Sequence, residues 1–333
     1  MSADRPFTFA LIGSGNIGGT YAKAIANLDG VALSGLVSRS GRCPNYLPAG
    51  IEVAASLAEL TRPHDAVILC TPNGTHHSLA KEAASLGKHV LTEKVLDINR
   101  ENMDTMTQAC EDAGVTLAVT FQRRMSPDNA AIKHLLDSSA LGKVFAADMR
   151  VKFFRDMDYY NSGDYRGGYT IDGGGPFIQQ AAHNVDIFAW FFGMPKKVVS
   201  MLDTFTHDIE AEDHGVALLR YENGMIGTIT ASSATKPGFT PVLEIHSDRG
   251  SVIMENDEIT AWHIDGVAQP ERAADFEVHS GAASAVVSDT AGHEAILRDF
   301  VEAVRNGTPP AIPASSGRLA TELVLQIYEA NVR

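Results

Sequence analysis

Phe7-Thr8-Phe9-Ala10-Leu11-Ile12-Gly13-Ser14-Gly15-Asn16-Ile17-Gly18 is the stretch that decides the fold of this chain. A short apolar run enters three glycines spaced Gly-x-Gly-x-x-Gly, and a helical pattern follows. In such a strand-turn-helix the first glycine permits the tight turn, the second lets a ligand approach the main chain, and the third brings the helix close to the strand. The N–H groups opening that helix form an anion site suited to a pyrophosphate. Gly13, Gly15, Asn16, Ile17 and Gly18 are therefore candidate dinucleotide contacts.

The segments that follow continue the pattern. Val31 to Val37, Ala66 to Cys70, His89 to Thr92 and Thr116 to Thr120 read as strands, and helical stretches separate most of them, as in a parallel βαβ sheet. After Gln122 the grammar changes. One helical segment, Asp128 to Ser138, leads to a long strand, Lys143 to Phe154. An antiparallel meander is then expected, with Val216 to Tyr221 and Met225 to Ala231 flanking Glu222-Asn223-Gly224, and Val242 to His246 and Ser251 to Glu255 flanking Asp248-Arg249-Gly250. Helices resume at His293 to Arg305 and Gly317 to Asn331. With 333 residues, more than one core usually supports, two domains are expected: a dinucleotide-binding α/β Rossmann domain over 1–122 and an α+β substrate domain over 123–333.

Composition narrows the class of function. A formal net charge of −14 without a basic cluster disfavours nucleic acid as partner. Cys43, Cys70 and Cys110 are few and far apart, which suits a reducing cytoplasm, and none has metal-ligand spacing, so no metal is expected. The polar Met1 to Pro6 lacks the charged and apolar regions of a signal peptide, and no run approaches a membrane span. A cytoplasmic protein without membrane contact is the expectation.

The end of the second strand bears on which dinucleotide binds. An NAD site places an acidic residue about 20 residues past the glycines, to bond the ribose 2′-hydroxyl. This chain has Ser38-Arg39-Ser40-Gly41-Arg42, with no carboxylate and two guanidiniums able to pair a 2′-phosphate. NADP is favoured over NAD, with Ser38, Arg39 and Arg42 as contacts. Lys94 follows Glu93 at the carboxyl end of a strand, where open α/β sheets present ligands. Partial burial beside a nicotinamide cation favours a neutral amine able to accept a proton.

Thr71-Pro72-Asn73 with His76, Glu93-Lys94, and Asp172-Gly-Gly-Gly-Pro-Phe-Ile-Gln-Gln-Ala-Ala-His183-Asn-Val-Asp186 together resemble the glucose-fructose oxidoreductase, inositol dehydrogenase and MocA family, and Tyr165-Arg166-Gly167 adds to the likeness. The resemblance implies a second domain with a large open, mostly antiparallel sheet, one face of which often builds a homodimer or homotetramer. It implies that Thr71, Pro72, Asn73 and His76 line the adenosine and ribose side, with Glu93 and Gln122 nearer the nicotinamide ribose and Arg166 approaching the nicotinamide or substrate. Lys94 and His183 would share proton transfer to a sugar or polyol, with Asp186 orienting the imidazole from the same helix face and Gln179 one turn before His183. Gln179 and Gln180 would bond substrate hydroxyls, and of Arg123 and Arg124 at least one, Arg124, would face substrate.

Two departures from the family pattern stand out. Gln179 replaces an Asp that helps polarise the histidine in the inositol dehydrogenase branch. Val95 replaces the usual proline after Glu-Lys, removing a constraint on the lysine's backbone. The expected activity is an NAD(P)-dependent oxidoreductase acting on CH–OH of a sugar or polyol. Two alternatives are an NAD-dependent glycosidase that oxidises its sugar transiently and a cofactor-sensing sugar regulator without chemistry.

Overall fold

The computed structural model describes residues 5–271, 282 and 290–332. From the N-terminus the elements are β1 (Phe7–Ile12), α1 (Asn16–Ala26), β2 (Val31–Val37), β3 (Glu52–Ala54), β4 (Ala66–Leu69), α2 (His76–Ser85), β5 (His89–Thr92), α3 (Arg100–Asp112) and β6 (Leu117–Val119). The six strands form one parallel sheet in the order β3-β2-β1-β4-β5-β6. Ala66, Val67, Ile68 and Leu69 are all fully buried, as parallel strands covered on both faces must be. The order reverses between β1 and β4, and there open α/β sheets bind their ligands. β3 was not foreseen, because three half-buried residues carry no usable period.

The chain divides into two compact units, Met1–Gln122 with Val287–Arg318, and Arg123–Val286 with Leu319–Arg333. The second unit is thus not the single stretch 123–333 expected from the sequence. The reason lies in α7 (Ala291–Asn306), which packs on α1 in the first unit. His293 meets Tyr21 edge-on at 5.2 Å between centroids, Asn27 Nδ2 donates to Glu294 Oε1 at 2.8 Å, and Phe300 lies 5.9 Å from Phe9 of β1. Periodicity identifies α7 as an amphipathic helix but not the sheet it covers.

The second unit contains α4 (Pro127–Asp137), β7 (Val144–Lys152), α5 (Met157–Asn161), α6 (Ala182–Phe192), β8 (Lys197–Asp203), β9 (His214–Arg220), β10 (Ile226–Ser232), β11 (Val242–Ser247), β12 (Gly250–Glu255) and β13 (Glu258–Ile264). A final helix, α8 (Ala314–Glu329), follows α7. The seven strands run in the order β13-β12-β11-β7-β10-β9-β8, mostly antiparallel. Both expected hairpins form, but the meander is interrupted: β7 inserts between β10 and β11, pairing parallel with the first and antiparallel with the second. A further hairpin joins β12 and β13 through Asn256 and Asp257, both at positive φ, a turn that Asn and Asp tolerate.

One face of this sheet packs on α6. A Cβ on Gly227 of β10 would lie 2.9 Å from the Phe188 ring, so glycine is needed for the helix to approach. The opposite face leaves Val199, Met201, Val216, Leu218 and Ile226 exposed on adjacent strands.

Candidate active site

Four backbone hydrogen bonds tie together the carboxyl ends of the parallel strands. Gly13 N–H donates to Val37, Cys70 to Ile12, Glu93 to Leu69 and Thr120 to Thr92, at 2.8 to 3.0 Å. The first unit thereby gathers the glycine turn, Ser38, Thr71 and Lys94 along one edge. Gly13 has φ +110°, and a Cβ there would lie 2.5 Å from the Cys70 carbonyl oxygen, so the turn admits no side chain. Gly15 has open space where a Cβ would stand, and it begins α1 without a side-chain cap. This cradle fits a pyrophosphate, with Asn16, Ile17 and Gly18 forming the first turn behind it.

Ser38 is buried, its N–H bonded to Ala54 at 2.9 Å, whereas Arg39 and Arg42 are exposed. Thr71 and Pro72 are half-buried at the end of β4 and Asn73 is buried. Thr75 Oγ1 lies 2.6 Å from Pro72 O and 2.8 Å from Thr71 Oγ1. His76 corrects the expectation of a cofactor contact: it is fully buried, with Nδ1 2.8 Å from Val95 O and Nε2 3.0 Å from Thr71 O. A ring closed in by two main-chain carbonyls does not face a ligand.

Glu93 is also more deeply placed than the sequence suggests. Tyr21 donates to its Oε1 at 2.6 Å, and His293 Nε2 lies 3.9 Å from the same oxygen. Burial raises the Glu93 carboxyl pKa, while Tyr21 and the neighbouring Lys94, through its charge and its N–H, draw it down. Lys94 itself is half-buried. The Lys94–Val95 peptide is cis. Val95 is fully buried and its carbonyl lies 2.8 Å from His76 Nδ1, so packing and hydrogen bonding hold the segment that lacks the family's proline. Gln122 is half-buried, its side chain against Gly292, and its Oε1 is buried without a hydrogen-bond partner among the described residues.

In the second unit the structure corrects two roles. Asp186 does not orient His183: both its oxygens engage Arg124, Nε at 2.8 Å and an Nη at 2.5 Å. Arg124 is only 5% exposed and stacks over Trp190 at 5.4 Å. It is a buried partner of Asp186 rather than a substrate contact. Burial pushes the Asp186 carboxyl up to about 6 against the pull of Arg124. Arg123 pairs Asp257 at 3.1 Å.

α6 begins only at Ala182, so Gln179 precedes the helix rather than sitting one turn below His183. The Gln179 amide donates to the Asp172 carbonyl and closes the glycine-rich loop. His183 is half-buried in the first turn of α6. Gln180 donates to Tyr159 Oη at 3.2 Å, and its Oε1 is buried without a partner among the described residues. Arg166 stacks over Tyr159 at 4.4 Å and lines a cleft of ≈ 390 Å³ with Tyr160, Gly167, Asp208 and Glu210. His183, Gln180 and Arg166 thus belong to one unit, and the glycine turn and Lys94 to the other.

Comparison with known proteins places this arrangement. Residues 7–121 match the model of the oxidoreductase family with an NAD-binding Rossmann fold, and residues 129–253 match that of the GFO/IDH/MocA C-terminal domain. The chain belongs to the Gfo/Idh/MocA oxidoreductase family. Inositol 2-dehydrogenase of Rhizobium meliloti (strain 1021) is 26% identical over 334 residues, covering 95% of this chain and 94% of that protein. The crystal structure of the WlbA dehydrogenase from Bordetella pertussis, in complex with NADH and UDP-GlcNAcA, is 28% identical with a TM-score of 0.84, covering 98% of this chain and 96% of that one. Its counterpart from Chromobacterium violaceum is 27% identical with a TM-score of 0.85, covering 99% and 94%.

Several residues of this Gfo/Idh/MocA member escape sequence reasoning. Tyr46, in the loop after β2, lays its ring on Gly18 and Gly19 and donates to Gly15 O at 2.9 Å, with burial pushing its phenol up to about 12. Glu212 receives Gly175 N–H at 3.1 Å and Tyr328 Oη–H at 3.0 Å beneath the triple glycine, and burial pushes it up to about 7. Nothing in the sequence pairs Glu212 with Tyr328, more than a hundred residues on. Tyr21 carries a weak signal: it lies on the buried face of α1, where a hydroxyl requires a partner.

Proposed function

We propose that this oxidoreductase transfers hydride between a nicotinamide dinucleotide, NADP in preference to NAD, and a CH–OH carbon of a sugar, polyol or sugar derivative. The observation that carries the reading is Lys94: a half-buried lysine directly after the buried Glu93, on the strand edge that also holds the glycine cradle.

The dinucleotide, when bound, supplies the hydride chemistry, and the chain's own residues must hold it and manage a proton. Gly13, Gly15 and the first turn of α1 hold the pyrophosphate, and Thr71, Pro72 and Asn73 flank the ribose side. Lys94 takes the hydroxyl proton during oxidation and returns it during reduction, and His183 shares that task as a general acid and base. Gln180, whose Oε1 is buried without a partner among the described residues, accepts from a substrate hydroxyl, and Arg166 donates to a substrate oxygen.

The preference for NADP rests on the exposed Arg39 and Arg42 after β2, where no carboxylate stands to bond a 2′-hydroxyl. The relatives act on, or were crystallised with, an inositol and a nucleotide sugar, which supports polyhydroxylated substrates for this chain. Assembly through the second sheet is part of the proposal. Val199, Met201, Val216, Leu218 and Ile226 make a contiguous exposed apolar face suited to a second copy of the chain. Light scattering should return a dimer or tetramer, and a monomer at micromolar concentration would remove that part. The catalytic reading is tested by dinucleotide reduction across free sugars, inositols and nucleotide sugars, comparing wild type with Lys94→Ala.

A further inference from the structure

Val95 stands where a proline would stiffen the chain after Lys94, yet the Lys94 segment is not left to its own torsions. Val95 and Leu96 are fully buried, and Asp97, also fully buried, accepts Ile98 N–H at 2.7 Å, Asn102 Nδ2–H at 2.8 Å and His77 N–H at 3.2 Å. Between these residues and the end of β4 lies the His76 ring, with one nitrogen 2.8 Å from Val95 O and the other 3.0 Å from Thr71 O. A carbonyl oxygen only accepts, and burial favours a neutral ring with a single N–H, so the ring donates to one of the two carbonyls; the closer approach is that of Nδ1 to Val95 O.

We propose that His76 is a positioning residue for Lys94: its Nδ1–H donates to the Val95 carbonyl and so fixes the backbone beside the residue from which the lysine projects. This rests on Lys94 being the proton-transfer group. His76 touches neither substrate nor cofactor, being fully buried, and acts only through the segment it holds. Misplacement of a reacting group by about 1 Å costs on the order of a hundredfold in rate. A clasp one residue from the lysine therefore bears on kcat rather than on cofactor affinity.

The test is a double-mutant cycle in the full-length enzyme. His76→Phe keeps an aromatic ring of similar bulk without donors, and His76→Gln offers two N–H groups on one nitrogen. His76→Phe should lower kcat by roughly a hundredfold, while the dissociation constant of the dinucleotide and the KM of the sugar change less than about threefold. His76→Gln should recover most of kcat. Once Lys94 is already alanine, His76→Phe should lower kcat no further, because both changes remove the same contribution.

Wild-type kcat in a folded His76→Phe overturns the proposal, as do additive losses in the double variant or a parallel loss of dinucleotide binding. Should His76→Phe fail to fold, His76→Gln decides alone, since a folded, stable Gln variant with lost kcat contradicts a role as backbone donor. If Lys94→Ala by itself leaves turnover intact, it is the assignment of the lysine that fails, and the cycle makes that outcome visible separately.

Discussion

Arg39 is the residue on which cofactor choice turns. It follows Ser38, whose backbone is fixed to β3 through Ala54, so an exposed guanidinium starts from an anchored point. Arg39→Ala should weaken NADP binding by roughly 1.5–3 kcal/mol, the scale of a charged hydrogen bond, and barely alter NAD binding. Titration calorimetry with both dinucleotides reads this directly, and equal losses for the two would end the 2′-phosphate assignment. At this scale, legibility in the sequence followed exposure and backbone demand. Gly13 was readable because a left-handed turn against Cys70 O tolerates nothing else. The interior roles of His76 and Asp186 are not legible, because sequence spacing shows which side chains are near but not which acceptor or cation each one meets in the interior.

The loop carrying the triple glycine shows how one element depends on partners remote in sequence. Gly174, at φ +136°, lies under the Tyr328 ring, and Gly175 is pressed against the Glu212 main chain, so neither position admits a Cβ. Glu212 is held by two tyrosine hydroxyls and the Gly175 N–H, and burial raises its carboxyl from the ordinary 4.5 to about 7. A carboxyl raised on folding binds its proton more tightly in the native state. Its contribution to stability is therefore complete below pH 4.5 and is lost as pH rises through 7. Glu212→Gln, which cannot ionise, should gain on the wild type between pH 5 and 8 by about 2 kcal/mol. Denaturant melts across that range check it, and a constant difference between the two proteins would deny the raised carboxyl. Among the elements, β1, β2, β4, β5 and the two hairpins with Gly-containing turns were legible from apolar runs and turn residues. β8 and β13 were not: β8 alternates in burial, but its exposed positions include Val199 and Met201 and its buried one is Ser200, so its residue types hide the period, and β13 has no alternation of burial.

At the scale of the whole molecule, the sequence declared a parallel α/β unit followed by a mostly antiparallel sheet, and both are present. It did not declare that β7 would enter between β10 and β11, nor that α7 would return to cover α1. Both are long-range pairings that local periodicity does not encode. The two compact units supply complementary parts of the proposed chemistry: the glycine cradle with Lys94 in one, and His183 with Gln180 and Arg166 in the other. The account stands on the lysine. The decisive measurement is steady-state turnover of wild type and Lys94→Ala on the best sugar or polyol substrate, followed by reduced-nicotinamide absorbance, with dinucleotide affinity measured in parallel. Lys94→Ala should lower kcat by roughly 10²- to 10⁴-fold, the usual worth of a positioned general acid or base, with dinucleotide affinity nearly unchanged. Turnover close to wild type would contradict the account.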